Sequence, residues 1–133
     1  MSESTKTMAD VVRIDKLIEN LSGCEDIAAA IIDEFFTQAE AQLCEVEAAL
    51  ATRDCGLIAA ASHKFKGSLG SIHAGPSAEV AGAIELAAQR KDLAGVQSHG
   101  SVLRASVEEL FWHLRRWREA TGAALDDTPG RHD

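Results

Sequence analysis

A histidine and a lysine stand one helical turn apart at His63 and Lys66, in the run His63-Lys64-Phe65-Lys66-Gly67-Ser68. A neutral imidazole nitrogen is a good nucleophile near pH 7, because its reference pKa is about 6.5. An ammonium one turn away can lie against the oxygens of a group carried on that nitrogen. On a wheel of about 100° per residue, Ile58, Ala61, Phe65, Leu69 and Ile72 gather on one side, and His63 falls roughly 180–220° away from them. Around His63 stand Ala59, Ala60, Lys66, Gly67 and Gly70, residues with little side chain except for the lysine. Glycine inside a helix costs about 1 kcal/mol relative to alanine. Two of them beside an outward-facing histidine point to close approach by another body. Residues 56–75 contain Lys64 and Lys66 but no Asp or Glu, so this stretch reads as locally positive and suited to an anionic group.

The elements that position this histidine are helices. Residues 1–9 are polar and are expected to fray. Asp10 is placed to cap a short helix carrying Val11, Ile14, Leu17, Ile18 and Leu21, ended by Ser22-Gly23. A second helix is predicted from about Glu25 to Thr52. Its apolar positions Ile31, Ile32, Phe35, Phe36, Ala39, Leu43, Val46 and Leu50 recur at helical spacing. Arg53-Asp54-Cys55-Gly56 reads as a break, and the histidine helix runs from about Leu57 to Ala74. Gly75-Pro76 restarts the chain, with Pro76 in the first turn of a helix to about Arg90 that buries Val80, Ala83, Ile84 and Ala87. After Lys91-Asp92, a last helix from about Leu93 to Ala120 carries Val96, Leu103, Val107, Leu110, Leu114 and Trp117 in a near-heptad rhythm. The predicted fold is all-α, an antiparallel (up-down) four-helix bundle with an additional short N-terminal helix across one end. The bundle spans residues 10–120, between a flexible N-terminus at 1–9 and a flexible tail at 121–133.

Composition agrees with one helical domain. The chain has 133 residues, enough to bury a single core, and 46% are hydrophobic, which disfavours disorder. Tyrosine is absent and aromatics are 5%, which argues against a strand-rich fold. The net charge of −8 has the wrong sign for a nucleic-acid partner. Cys24, Cys44 and Cys55 form neither a zinc spacing nor an even disulfide framework. Cys24 and Cys44 read as small core or boundary residues, kept as thiols in a cytosol. With neither a membrane-spanning run nor a signal-peptide pattern, the chain reads as soluble and cytoplasmic.

The segment His63-x-x-Lys66-Gly67-Ser68, preceded by Ala61-Ser62 and followed by small residues, resembles the signature of histidine-containing phosphotransfer (HPt) domains. Those domains relay phosphoryl groups between response-regulator receiver domains in multistep phosphorelays. The resemblance extends from about Leu43 to Val96. It includes Ala49, Leu50 and Asp54 ahead of the histidine, and Ile84-Glu85-Leu86-Ala87-Ala88 with Arg90-Lys91-Asp92 behind it. It implies that His63 is the phospho-acceptor, that Lys66 stabilises the phosphoryl group, and that Gly67 clears space for the receiver. Glu85 is the candidate to accept a hydrogen bond from the imidazole Nδ1–H and orient the ring. Ala59, Lys64, Ser68, Gly70 and Gln89 join Gly67 as candidate partner-binding residues. The resemblance further implies no cofactor held by this chain, with Mg²⁺ and an acidic pocket supplied by the receiver. Its partners are then receiver domains and a hybrid sensor histidine kinase. In this sequence His73 replaces a glycine common in the family, and Ser71 replaces an asparagine, changes expected to alter the turn after the histidine helix.

The remaining reactive residues read as ordinary. His73, His99, His113 and His132 show no paired metal-ligand spacing and are expected at the surface or boundary. Trp112 and Trp117 fit core or bundle-edge positions, and Arg115, Arg116 and Arg118 fit a favourable interaction with a helix C-terminus. The reading is therefore a monomeric, free-standing covalent phosphoryl carrier, not an enzyme acting on a small molecule. It takes the group from a receiver aspartate and passes it to another receiver or returns it. The alternative is a helical-bundle interaction module whose histidine never carries phosphate, with the near-heptad last helix as its support.

Overall fold

The computed structural model describes residues 6–126, with side chains described as far as residue 122. Among them every regular element is a helix: α1 (Met8–Val11), α2 (Ile14–Asn20), α3 (Glu25–Thr52), α4 (Cys55–Ser71), α5 (Gly75–Gln89) and α6 (Leu93–Asp126). Helices α3, α4, α5 and α6 each pack against their neighbours in a closed ring, with α6 returning to α3. Ion pairs fix the antiparallel sense. Asp33 meets Arg118 while Glu47 meets Arg104, and Glu45 meets Lys64. The core these helices enclose includes Ile32, Leu43, Val46, Ile58, Phe65, Leu69, Ile84, Leu103, Leu110 and Leu114, all at most 1% exposed. Phe35, Phe36 and Phe111 cluster where α3 and α6 extend beyond the shorter pair, with ring centroids 5.7–6.5 Å apart.

The N-terminal segment is two helices, not one. Thr7, rather than Asp10, is the cap: its hydroxyl accepts from the Asp10 N–H while the Asp10 carboxylate accepts from the Thr7 N–H. Thr7 to Ala9 are therefore structured, and residues 1–5 of the expected frayed stretch lie outside the described residues. The split falls at Val12, which is extended (φ −149°) and 1% exposed. A continuous helix would have turned either Val12 or its neighbours Val11 and Ile14 away from the core; the break buries all three. The Arg13 N–H then donates to the His73 carbonyl at 3.0 Å, tying this segment to the α4–α5 turn.

Helix α4 starts two residues earlier than its apolar pattern, because Asp54 caps it by accepting from the N–H groups of Gly56 and Leu57 at 2.9 and 3.2 Å. It also stops earlier, at Ser71. The Ala74 N–H reaches back to the Leu69 carbonyl and the His73 N–H to Gly70, a Schellman closure with His73 in the left-handed region at φ 63°. A glycine takes that conformation without strain. Here a histidine takes it, with its Nε2 3.1 Å from the Asn20 amide nitrogen. In α5 the buried face is Ser77, Ala81, Ile84, Ala87 and Ala88; Val80 and Ala83, expected inside, are half-buried at its edge. Ser77 is accommodated by a hydroxyl–hydroxyl bond to Ser106 at 2.7 Å. Helix α6 continues past Ala120 to Asp126, and Thr121 is buried against the bundle, so residues 121–126 of the expected tail are helical. Residues 127–133 lie outside the described residues.

Candidate functional site

The Asp54 cap and the Ile58–Phe65–Leu69 stripe, fully buried, fix the rotation of α4 about its own axis. His63 is thereby turned outward, its side chain 70% exposed. Across from it, Glu85 rises from α5 with a side chain only 13% exposed. Its Oε2 lies 2.9 Å from His63 Nδ1 and its Oε1 lies 2.9 Å from Lys66 Nζ. Gln89, one turn along α5, donates from Nε2 to the same Oε2 at 3.4 Å. One carboxylate thus bridges the histidine and the lysine.

The electrostatics of that bridge decide the state of the ring. The hydrogen bond from Lys66 is the main cause holding the Glu85 carboxyl below its ordinary range, against the opposing effect of partial burial. An ionised carboxylate only accepts hydrogen bonds, so Nδ1 of a neutral His63 must be the protonated nitrogen. The lone pair is then on Nε2, the nitrogen not engaged by Glu85.

The expected positive face is not what the tertiary structure presents. Lys66 is paired with Glu85, and Lys64 meets Glu45 of α3 at 3.4 Å between side chains that are both more than half exposed. The acidic residues missing from 56–75 are delivered by the flanking helices. Of the other candidates, Ala59 is half-buried and packs on the core instead of standing clear beside His63. Ser68 is half-buried with its hydroxyl 3.5 Å from the Lys64 carbonyl. Gly67 and Gly70 are exposed, and a Cβ on either would meet nothing within 4 Å. Among the described residues, open space surrounds the place of the missing side chains. Toward the N-terminal end of α4, a groove between α3 and α4 is lined by Ala48, Ala49, Leu57, Ala60, Ala61 and Lys64, with Leu57 54% exposed.

Gly82 of α5 belongs to the site and was not singled out from the sequence. A Cβ there would stand 3.2 Å from Lys66 Cδ. The available signal was its place one turn before Glu85 on the same face.

The remaining reactive groups sit elsewhere. His113 is buried at 6% exposure, not at the surface or boundary as expected; its Nε2 has no hydrogen-bond partner among the described residues, and its ring abuts Trp112 edge-on. His99 is exposed, and His132 lies outside the described residues. Cys44, expected in the core or boundary, is exposed beside Glu40, while Cys24 and Cys55 are half-buried and all three are free thiols. Arg115, Arg116 and Arg118 lie two turns or more before the end of α6, beyond the reach of its terminal dipole. Arg118 instead pairs with Asp33 and Arg116 stacks over Trp112 at 4.9 Å. No group of three or more His, Cys, Asp or Glu among the described residues is arranged to hold a metal ion, and no described helix is long and apolar enough to cross a membrane.

No curated protein and no solved structure matches the chain. The family profile for the Hpt domain matches residues 30–111, from the first turns of α3 to Phe111 of α6, a wider span than the local resemblance around His63. Members of that family are helical bundles that take part in phosphorelays with receiver domains, acting as phosphoryl carriers. The match covers most of the chain and takes in α4 and α5 with the greater part of α3 and of α6, the exposed histidine lying on the second helix of the ring, and on that ground the protein belongs to the Hpt domain family.

Proposed function

We propose that His63 carries the phosphoryl group, accepting it from the phosphorylated aspartate of a receiver domain and passing it to a second receiver or returning it. The observation that carries this reading is the 2.9 Å contact between Glu85 and Nδ1 of a histidine whose side chain is 70% exposed. In the step itself, the Nε2 lone pair attacks phosphorus and the N–P bond forms. The P–O bond to the aspartyl carboxylate breaks, and that oxygen leaves with its electron pair. The Nδ1 proton stays in place, so the product ring is an imidazolium facing the Glu85 carboxylate. Glu85 therefore opposes a charge that exists only after transfer has begun. Lys66, one turn along α4 from His63, holds its Nζ next to the same carboxylate and supplies the cation for the phosphoryl oxygens.

The receiver contributes the acidic pocket and the Mg²⁺ that neutralises the transferring group; this chain contributes nucleophile, orienter and ammonium. Lys64, Gly67, Gly70 and the groove at Leu57 form the surface on which the receiver sits, with the two glycines allowing backbone-close approach to His63. The protein works in the cytoplasm as a monomer downstream of a hybrid sensor kinase. The test is transfer from a panel of phosphorylated receivers to wild type and His63→Gln, read by intact mass and acid lability. One acid-labile phosphoryl group that is lost in the variant is the expected result. If a folded wild-type protein takes no phosphoryl group from any receiver, the proposal fails and the protein is a binding module.

A further inference from the structure

Helix α5 keeps a glycine at position 82, mid-helix, where alanine would be more favourable. Neither of two common reasons for such a glycine applies. Its φ is not positive, and α5 continues for seven more residues to Gln89. The other glycines of the helices differ in what fills the space of the missing Cβ. At Gly67, Gly70 and Gly75 nothing lies within 4 Å; at Gly100 the Leu50 side chain fills it; at Gly56 and Gly95 it is the helix's own capping aspartate, joined at Gly95 by Ala87; at Gly122 it is the tip of Arg118, one turn back on the same helix. At Gly82 it is the stem of Lys66, with Cδ 3.2 Å from where the Cβ would be. Gly82 and Glu85 are three residues apart and share a face of α5. The lysine therefore crosses α5 through the notch at Gly82 and ends with Nζ 2.9 Å from Glu85 Oε1.

We infer that Gly82 is a positioning residue: it seats the Lys66 stem so that the ammonium lies beside Glu85 and within reach of a group on His63. This deepens the phosphotransfer reading and rests on it for its consequence in transfer. A Cβ at 82 forces the stem to move by a few tenths of an ångström at Cδ, and the flexible end of the side chain amplifies the shift at Nζ. Phosphoryl transfer depends almost wholly on position and charge placement, so the displacement reaches the rate.

Gly82→Ala is the test, because a purely structural role for the glycine predicts the opposite signature. Alanine raises helix propensity, so the melting temperature holds or rises by a few degrees. The probe is phosphoramidate, whose N–P bond breaks with departure of ammonia as the bond to His63 Nε2 forms. We expect Gly82→Ala to slow loading of His63 about three- to tenfold, and to have no further effect in a Lys66→Met background. The ¹⁵N resonance of the Lys66 amine should shift in Gly82→Ala. An unchanged loading rate in the folded variant overturns the inference, and so does an equal slowing with Met at 66. If wild type itself is not loaded by phosphoramidate or any receiver, the phosphotransfer reading falls separately. The Lys66 amine resonance then decides the seat alone, displaced in Gly82→Ala if the inference holds and unmoved if it does not.

Discussion

Replacing Glu85 with leucine should change which nitrogen of His63 bears the proton. In the native site Oε2 accepts from Nδ1 at 2.9 Å, and Glu85 is ionised because Lys66 holds its other oxygen. A hydrogen bond to a charged group contributes about 1.5–3 kcal/mol when well shielded. His63 is 70% exposed, so water competes for Nδ1 and about 1 kcal/mol is the appropriate figure. That energy corresponds to roughly a fivefold bias between tautomers. Glu85→Leu should therefore shift the tautomer ratio about fivefold toward Nε2–H, the form with no lone pair on the reactive nitrogen. The assay is the pair of imidazole ¹⁵N shifts of His63 at a pH where the ring is neutral, together with the rate of phosphoryl loading. Loading should fall by more than the drop in the Nδ1–H population alone, because the carboxylate that faces the product imidazolium is also gone. Glu85→Gln keeps a neutral acceptor and should fall between the two. The fold should be little affected, since the Lys66 side chain is 41% exposed and can turn to water. Unaltered ¹⁵N shifts with an unaltered loading rate would refute the claim that Glu85 sets the reactive nitrogen.

Two further variants test the site and the frame. Lys66→Met removes the principal cause of the lowered Glu85 carboxyl titration, so ¹³C-detected titration should place that carboxyl higher than in wild type, toward the ordinary value of 4.5. Because the folded-state carboxyl titrates lower than in the unfolded chain, the stability it contributes in wild type is present above about pH 4.5 and is lost as pH falls through the lowered value; Lys66→Met should flatten that loss. Arg53 ends α3 in the left-handed region at φ 60°, exposed and next to the Asp54 cap. Arg53→Gly should relieve about 1 kcal/mol of backbone strain and raise the melting temperature by roughly 3–5 °C, read by calorimetry.

Where sequence reading and structure agree, the information was local. The apolar stripes of α3, α4 and α6 repeat every three or four residues, and burial of such a stripe fixes the rotation of each helix. The outward direction of His63 follows from the positions of Ile58, Phe65 and Leu69 alone. Capping is local in principle too: Thr7, not Asp10, caps α1, and Asp54, read as part of a break, caps α4 and starts it two residues before its apolar pattern. The four arms of the bundle and the histidine with its lysine one turn on were legible for these reasons.

What the chain alone could not decide are relations between helices. His63 and Glu85 are 22 residues apart in sequence, and their contact depends on the packing angle and register of α4 on α5. The same packing turns a stretch without acidic residues into a paired one, because Glu45 and Glu85 arrive from neighbouring helices. It buries His113, which lies between Leu110 and Trp117 at the edge of the apolar stripe of α6, where the pattern alone leaves burial undecided. The same packing lays the stem of Lys66 across α5 beside Gly82, where a Cβ would stand 3.2 Å from Lys66 Cδ. Periodicity carries the direction in which a side chain leaves its own helix. What that side chain then meets is set by the volumes and charges of the helices packed beside it, and these meet only in the folded bundle.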